Sequence, residues 1–189
     1  MQSIGPYEVR GELARGGMGV VSIADFDRYF ELDSNPPMLA YFLRAGVHLK
    51  LVQYSASERD LSRYLESDPQ KISAWLDRGF ARIRLGKLEG AIADCDEALR
   101  LDPDFPNAYA NRGLAHLKAG NLSLAKADIE TTLRLDPKHP AARVNLGWIR
   151  LKEGDGGGAV EECDRALADT PGYPDALRLR AEALEALGR

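Results

Sequence analysis

The chain is predicted to be all-α: a right-handed solenoid of helix–turn–helix units, four complete and one C-terminal capping helix, preceded by a short β-hairpin. Three observations carry this. Pro69, Pro103, Pro137 and Pro171 recur at 34-residue steps, and Asp68, Asp102 and Asp136 precede the first three. Pro106, Pro140 and Pro174 form a second ladder three residues behind, so the two ladders hold seven of the ten prolines. Gly86, Gly120, Gly154 and Gly188 repeat at the same step. A fixed period of this length is the signature of an array in which each unit buries its apolar face against its neighbours.

Residues 1–37 stand outside the ladder. Tyr7 to Leu13 and Met18 to Phe26 are expected as strands around the turn at Gly16-Gly17. The wording E-L-A-R-G-G-M-G-V-V, from Glu12 to Val21, resembles the glycine-rich loop that opens bacterial serine/threonine protein kinases. The resemblance implies a nucleotide-cradling role for Gly16, Gly17 and Gly19, with Val21 over the base. It covers about 26 of the 189 residues. Ala14 stands at the first loop glycine, and no strand lysine, H-R-D or D-F-G motif follows. Phosphoryl transfer needs those metal and base ligands. The segment therefore reads as a kinase-like remnant and linker, and the alternative function is that of a decayed kinase–repeat fusion whose loop keeps weak nucleotide binding. Asp27 to Leu32 can form a helical turn, which Ser34-Asn35-Pro36-Pro37 stops.

From residue 38 the units run 38–71, 72–105, 106–139 and 140–173, followed by a capping helix at 174–189. Each holds two apolar-periodic segments, such as Ile72 to Leu85 and Leu88 to Leu101, with a glycine between them. Glycine accepts the left-handed conformation that ends a helix. Proline at Pro103 excludes α conformation from the residue before it, and Pro106 suits a first helical turn. Gly79, Gly113 and Gly147 with Ala91, Ala125 and Ala159 form small-residue columns where two helices must cross closely. Arg78 and Arg112 each precede an aspartate by sixteen residues, Asp94 and Asp128, and Arg44 with Asp60 repeats the spacing. These are expected as partly buried ion pairs, and the pair at Arg44 marks 38–71 as a true unit despite Val52 and Ser57 at its glycine and alanine positions. Leu146 breaks the series, with Glu162 in place of the aspartate. Gly156-Gly157-Gly158 is expected to be the weakest internal joint, because Gly costs about 1 kcal/mol against Ala inside a helix.

The columns W-x-x-x-G, G, A and A-L-x-L-D-P resemble the tetratricopeptide repeat family over about 150 residues. The resemblance implies a non-catalytic module that binds a protein partner on the concave face built by successive first helices.

The rest of the composition agrees with that. A net charge of -4 lacks the footprint of a nucleic-acid binder. The longest apolar stretch, 38–52, carries Arg44, His48 and Lys50 and is too short to span a bilayer. The first ten residues lack a signal-peptide layout, which makes a cytoplasmic location the expectation. Cys95 and Cys163 lie two units apart and are expected as buried hydrophobes, neither a disulfide nor a metal site. His48, His116 and His139 form no ligand cluster, and no nucleophile–base arrangement appears. No cofactor, no metal and no catalytic residue is expected.

Under the repeat reading the concave face is assigned by columns. Asp77, Asn111 and Asn145 form one, and Phe80, Leu114 and Trp148 the next. Ile83, Leu117 and Leu151 follow, edged by Arg84, Lys118 and Lys152. A peptide or partner helix with an apolar anchor beside acidic residues would match it, and Trp148 is the expected anchor point. Some tetratricopeptide domains clamp acidic chaperone tails through Lys, Asn, Asn, Lys and Arg. Here Asn111 fits that set, but Leu76, Phe80, Ala141 and Asn145 stand at its other places, so chaperone-tail binding is not expected.

Overall fold

Ten helices form in a computed structural model that describes residues 2–4, 7–9, 22–33 and 35–188. A single helix, α1 (Ile23–Leu32), precedes four pairs: α2 (Met38–Lys50) with α3 (Tyr54–Ser67), α4 (Ile72–Arg84) with α5 (Leu88–Leu101), α6 (Pro106–Lys118) with α7 (Leu122–Leu135), and α8 (Pro140–Lys152) with α9 (Gly156–Asp169). Helix α10 (Pro174–Ala186) follows the fourth pair. Strands β1 (Gln2–Ile4) and β2 (Tyr7–Val9) pair antiparallel, with Ser3 opposite Glu8. The hairpin expected across Gly16-Gly17 is thereby corrected. Tyr7–Val9 pairs upstream, and Ile23 to Phe26, expected as strand, is helical because Ser22 and Asp25 form a reciprocal capping box there. Residues 10–21, with the kinase-like loop, lie outside the described residues.

The repeated residues stop the helices by two local devices. Gly86, Gly120 and Gly154 adopt φ of 76°, 82° and 87°, which lets the next amide reach back to a carbonyl in the last turn. Lys87 N donates to Arg82 O at 2.9 Å and Asn121 N to His116 O at 2.9 Å. At the other end of each pair an aspartate accepts from the backbone two residues on: Asp68 from Gln70, Asp102 from Asp104 and Asp136 from Lys138, at 3.1 to 3.2 Å. Proline between them removes an amide that has no partner in this turn.

Val52 makes the same C-terminal turn with φ of 62°, and Gln53 N donates to His48 O at 2.8 Å. A β-branched residue is strained there, and with 63% exposure its side chain gains little from packing. Val52→Gly is expected to stabilise the chain by about 1 kcal/mol, the left-handed penalty less glycine's entropy. Thermal melts of the two proteins check this. A lower Tm for the glycine variant would contradict it.

Close crossing explains the small columns. A Cβ on Gly113 would lie 3.0 Å from Ile129 Cγ1 and 3.3 Å from the Ala125 carbonyl. Above the crossings sit the expected ion pairs. Arg44 holds Asp60 through two bonds of 2.7 Å, Arg112 holds Asp128 at 2.7 and 2.9 Å, and Arg78 Nη2 lies 2.7 Å from Asp94. The pairing at Arg44 has the geometry of the other two, as the sequence spacing predicts for 38–71. Each of the latter two arginines also reaches back to the preceding unit, Arg78 to Ser62 at 3.2 Å and Arg112 to Asp96 at 2.6 Å. The guanidinium thus ties consecutive units together as well as the two helices of its own.

Helix α1 joins the same scheme. Phe26 and Tyr29 are buried against Ala40, with Leu43 and Val47 alongside, and Asp27 meets Arg44 at 3.3 Å. Tyr29 donates to Asp33, whose other oxygen accepts from Asn35 N at 2.9 Å. Tyr64 and Asp68 do the same in α3. The segment read as a stopped helical turn in a linker is a second helix packed on the solenoid, at an offset of one extra residue from the 34-residue step.

The first helices α2, α4, α6, α8 and α10 pack in series along one side, while the second helices diverge on the other. Buried clusters run continuously between them, from Leu61 and Ala74 through Ala98 and Ile129 to Cys163 and Leu179. The glycine triplet opens α9 as a capped turn: Asp155 accepts from Gly158 N at 2.7 Å, and Gly156 and Gly158 are buried. A Cβ on Gly156 would lie 3.1 Å from Leu187 Cγ, so the small residue admits α10.

Candidate functional site

Because first helices turn their outer face inward along the curve, residues spaced by 34 line up across the array. They enclose a groove of about 860 Å³ on α4, α6, α8 and α10. Asp77, Asn111 and Asn145 form its first row. Phe80, Leu114 and Trp148, each half-buried, form the second. Arg84, Lys118 and Lys152 stand exposed at one edge. Leu117 also opens onto it, whereas Ile83 and Leu151 do not. Ile83 is buried among Ala91 and Ala115, and Leu151 packs toward Val144 and Leu179. The two point across the helix crossing, so the third column belongs mainly to the core.

The groove also takes residues that the column reading missed. Phe105, His139 and Tyr173 line it, each the residue before a rung of the second proline ladder. They are the N-cap residues of α6, α8 and α10, and their side chains fold inward over the first turn. That ladder was the available signal. His139 Nδ1 accepts from Ala142 N at 3.2 Å, so Nε2 carries the hydrogen to Asn107 Oδ1 at 2.8 Å. Burial holds this imidazole below its usual pKa, in agreement with the neutral form. At the far end Arg178 lies 5.8 Å over the Trp148 ring and 3.3 Å from Asp175. At the near end Phe80 meets Tyr54 edge-on, and Arg84 lies 5.3 Å over the Tyr54 ring. Trp148 packs against the core clusters of two units and also lines the groove.

Asp77 differs from the other carboxylates of the helical framework. Asp60, Asp94, Asp128 and Glu162 each meet at least one guanidinium. Among the described residues Asp77 has no hydrogen bond or ion pair. Burial pushes its carboxyl up from 3.8 to about 6. The groove thus presents an apolar floor, amide donors and acceptors, a cationic edge and one uncompensated acid.

Comparison with known proteins decides the nature of the array. A tetratricopeptide repeat family model matches residues 110–174, and a TPR repeat model matches residues 79–120. The repeats within residues 79–174 are tetratricopeptide repeats. The fold agrees with solved structures of such proteins. TTC0263, a thermophilic TPR protein of Thermus thermophilus, superposes with a TM-score of 0.71 at 21% identity, over 88% of this chain and 89% of that one. YrrB, a TPR protein described as having an unusual peptide-binding site, gives 0.63 at 21% identity, over 84% and 81%. The first TPR of Spaghetti (RPAP3), bound to the HSP90 peptide SRMEEVD, gives 0.58 at 26% identity, over 62% and 93%. The search of curated proteins found no match. Nothing in these matches supports the protein-kinase resemblance of residues 1–26.

Cys95 and Cys163 are free, fully buried thiols that burial pushes up to about 12 and 11, so they are inert packing groups in the tetratricopeptide core. Among the described residues no group of His, Cys, Asp and Glu could hold a metal ion, and no helix is long and apolar enough to cross a membrane.

Proposed function

We propose that this tetratricopeptide array is a non-catalytic scaffold that binds a protein segment, a peptide or a partner helix, along the concave groove. The observation that carries the reading is the row Phe80, Leu114 and Trp148. Three half-buried apolar side chains from successive units share one floor, beside amides on one side and Arg84, Lys118 and Lys152 on the other. A ligand with an apolar anchor fills that floor, and its acidic residues lie against the cationic edge. Similar proteins are described as peptide-bound or as having a peptide-binding site, which supports the class of ligand. The residues at the chaperone-clamp places (Leu76, Phe80, Ala141, Asn145) supply neither the lysines nor the arginine that would hold a terminal carboxylate. The ligand class is therefore an internal or apolar-anchored segment and not an acidic chaperone tail.

Affinity capture followed by mass spectrometry tests this, with the triple variant Phe80→Ala, Leu114→Ala and Trp148→Ala as the control. Partners captured by the wild type should be lost from the variant, provided its circular dichroism and melting remain cooperative. An unchanged set of captured partners would remove the groove from the reading.

A further inference from the structure

Asp77 is the one place where the groove departs from its own pattern. The row it belongs to continues as Asn111 and Asn145, so an amide at this place satisfies the fold as well as a carboxylate does. The negative charge has no partner within the described residues: Arg84 is seven residues further along α4, about 10 Å by helical rise. The lysines of the cationic edge occupy the corresponding places on α6 and α8, equally displaced from the Asp77 row. Where the same fold buries other acids, it supplies arginine within 2.7 to 3.3 Å, and here it supplies none. The carboxylate faces the groove, at the end formed by α4. A cation that arrives from outside would supply the partner that the fold leaves out.

Resting on the groove reading above, we propose that Asp77 selects a ligand with a lysine or arginine side chain, placed at the α4 end of the groove beside the apolar anchor. The bound segment is then amphoteric. Its basic residue meets Asp77, its apolar residue fills the floor at Phe80 and Leu114, and its acidic residues face Lys118 and Lys152. This arrangement also fixes direction, because among the described residues only the α4 end of the floor carries an acid without an internal partner. The other end carries Arg178, already paired with Asp175.

Selection from a displayed random peptide library, run in parallel on the wild-type chain and on Asp77→Asn and Asp77→Lys variants, tests the proposal. Asparagine is the residue of the neighbouring units in this row, which keeps the first variant folded. Wild-type binders should carry lysine or arginine at a fixed spacing from an apolar residue. A synthetic peptide of that sequence should bind Asp77→Asn about tenfold or more weakly, the loss of one charge-assisted hydrogen bond. Asp77→Lys should exchange the basic position for aspartate or glutamate. If all three proteins enrich the same basic position with equal affinity, Asp77 is not the selecting group, although the groove reading survives. If the library yields binders that the Phe80, Leu114 and Trp148 triple variant retains, or no binders at all, the groove reading falls and this inference with it.

Discussion

Asp94→Ala is expected to lower the unfolding free energy by about 3–5 kcal/mol, the range for stranding a buried charge by removing its partner. Asp94 is 1% exposed, and Arg78 Nη2 and Arg82 Nη1 lie 2.7 and 2.8 Å from its Oδ1. Removing it leaves two guanidiniums in a crevice that also holds Glu58. The arginine variants should separate by unit, and that ordering is the sharper test. Arg78→Leu leaves Asp94 with Arg82, as Leu146 leaves Glu162 with Arg143, Arg150 and Arg165 at 2.7 to 3.4 Å. Its expected loss is about 1–2 kcal/mol, the value of a charged hydrogen bond. Arg112→Leu strands Asp128, because His116 stands where Arg82 and Arg150 stand in their units. Its loss should exceed that of Arg78→Leu by about 1 kcal/mol or more. Urea denaturation of the three variants, with hydrogen exchange to place the loss along the array, measures this. Equal losses for Arg78→Leu and Arg112→Leu would show that the second basic column carries no weight.

That second column also shows where the sequence was legible and where it was not. The sixteen-residue spacing of arginine and aspartate could be read directly, because both residue types recur at a constant step. The residue four positions on, His48, Arg82, His116 or Arg150, changes type from unit to unit, so a search by identity passes over the three that reach a carboxylate. Yet His48 lies 3.6 Å from Asp60, and Arg150 3.3 Å from Glu162. Helix α1 was hidden for a related reason. Its Tyr29-to-Asp33 bond and its Asp33 turn copy those of Tyr64 and Asp68, but one added residue puts it off the 34-residue grid. The groove rows were legible wherever the helix face alone decides direction. Ile83 and Leu151 lie at the boundary of that face, where a small rotation sends a side chain to the core instead. Phe105, His139 and Tyr173 lie before the helices begin, so helical periodicity says nothing of them.

Asp77→Asn is expected to raise stability at neutral pH by about 1–2 kcal/mol, and this gain should disappear in acid. Burial raises the Asp77 carboxyl from 3.8 to about 6. Each unit of such a shift corresponds to about 1.4 kcal/mol between the protonation states, and partial exposure to solvent reduces the full value. Between about pH 4 and 6 the folded chain binds more protons at this site than the unfolded chain, so its stability falls as pH rises through that window. Above it the penalty is complete, and below it both states are protonated and the penalty is absent. The asparagine variant has no such dependence. The difference in Tm between the two proteins should therefore be positive at pH 7 and close to zero at about pH 4. A constant difference across that range would mean that packing or hydrogen bonding of the amide, and not the charge, is responsible. The expected sign also bears on binding. A row whose other members are asparagine keeps one residue that destabilises the empty fold, and a cationic ligand would offset that loss by neutralising it. Stability gained and ligand affinity lost in the same substitution would place the charge of Asp77 in recognition rather than in folding.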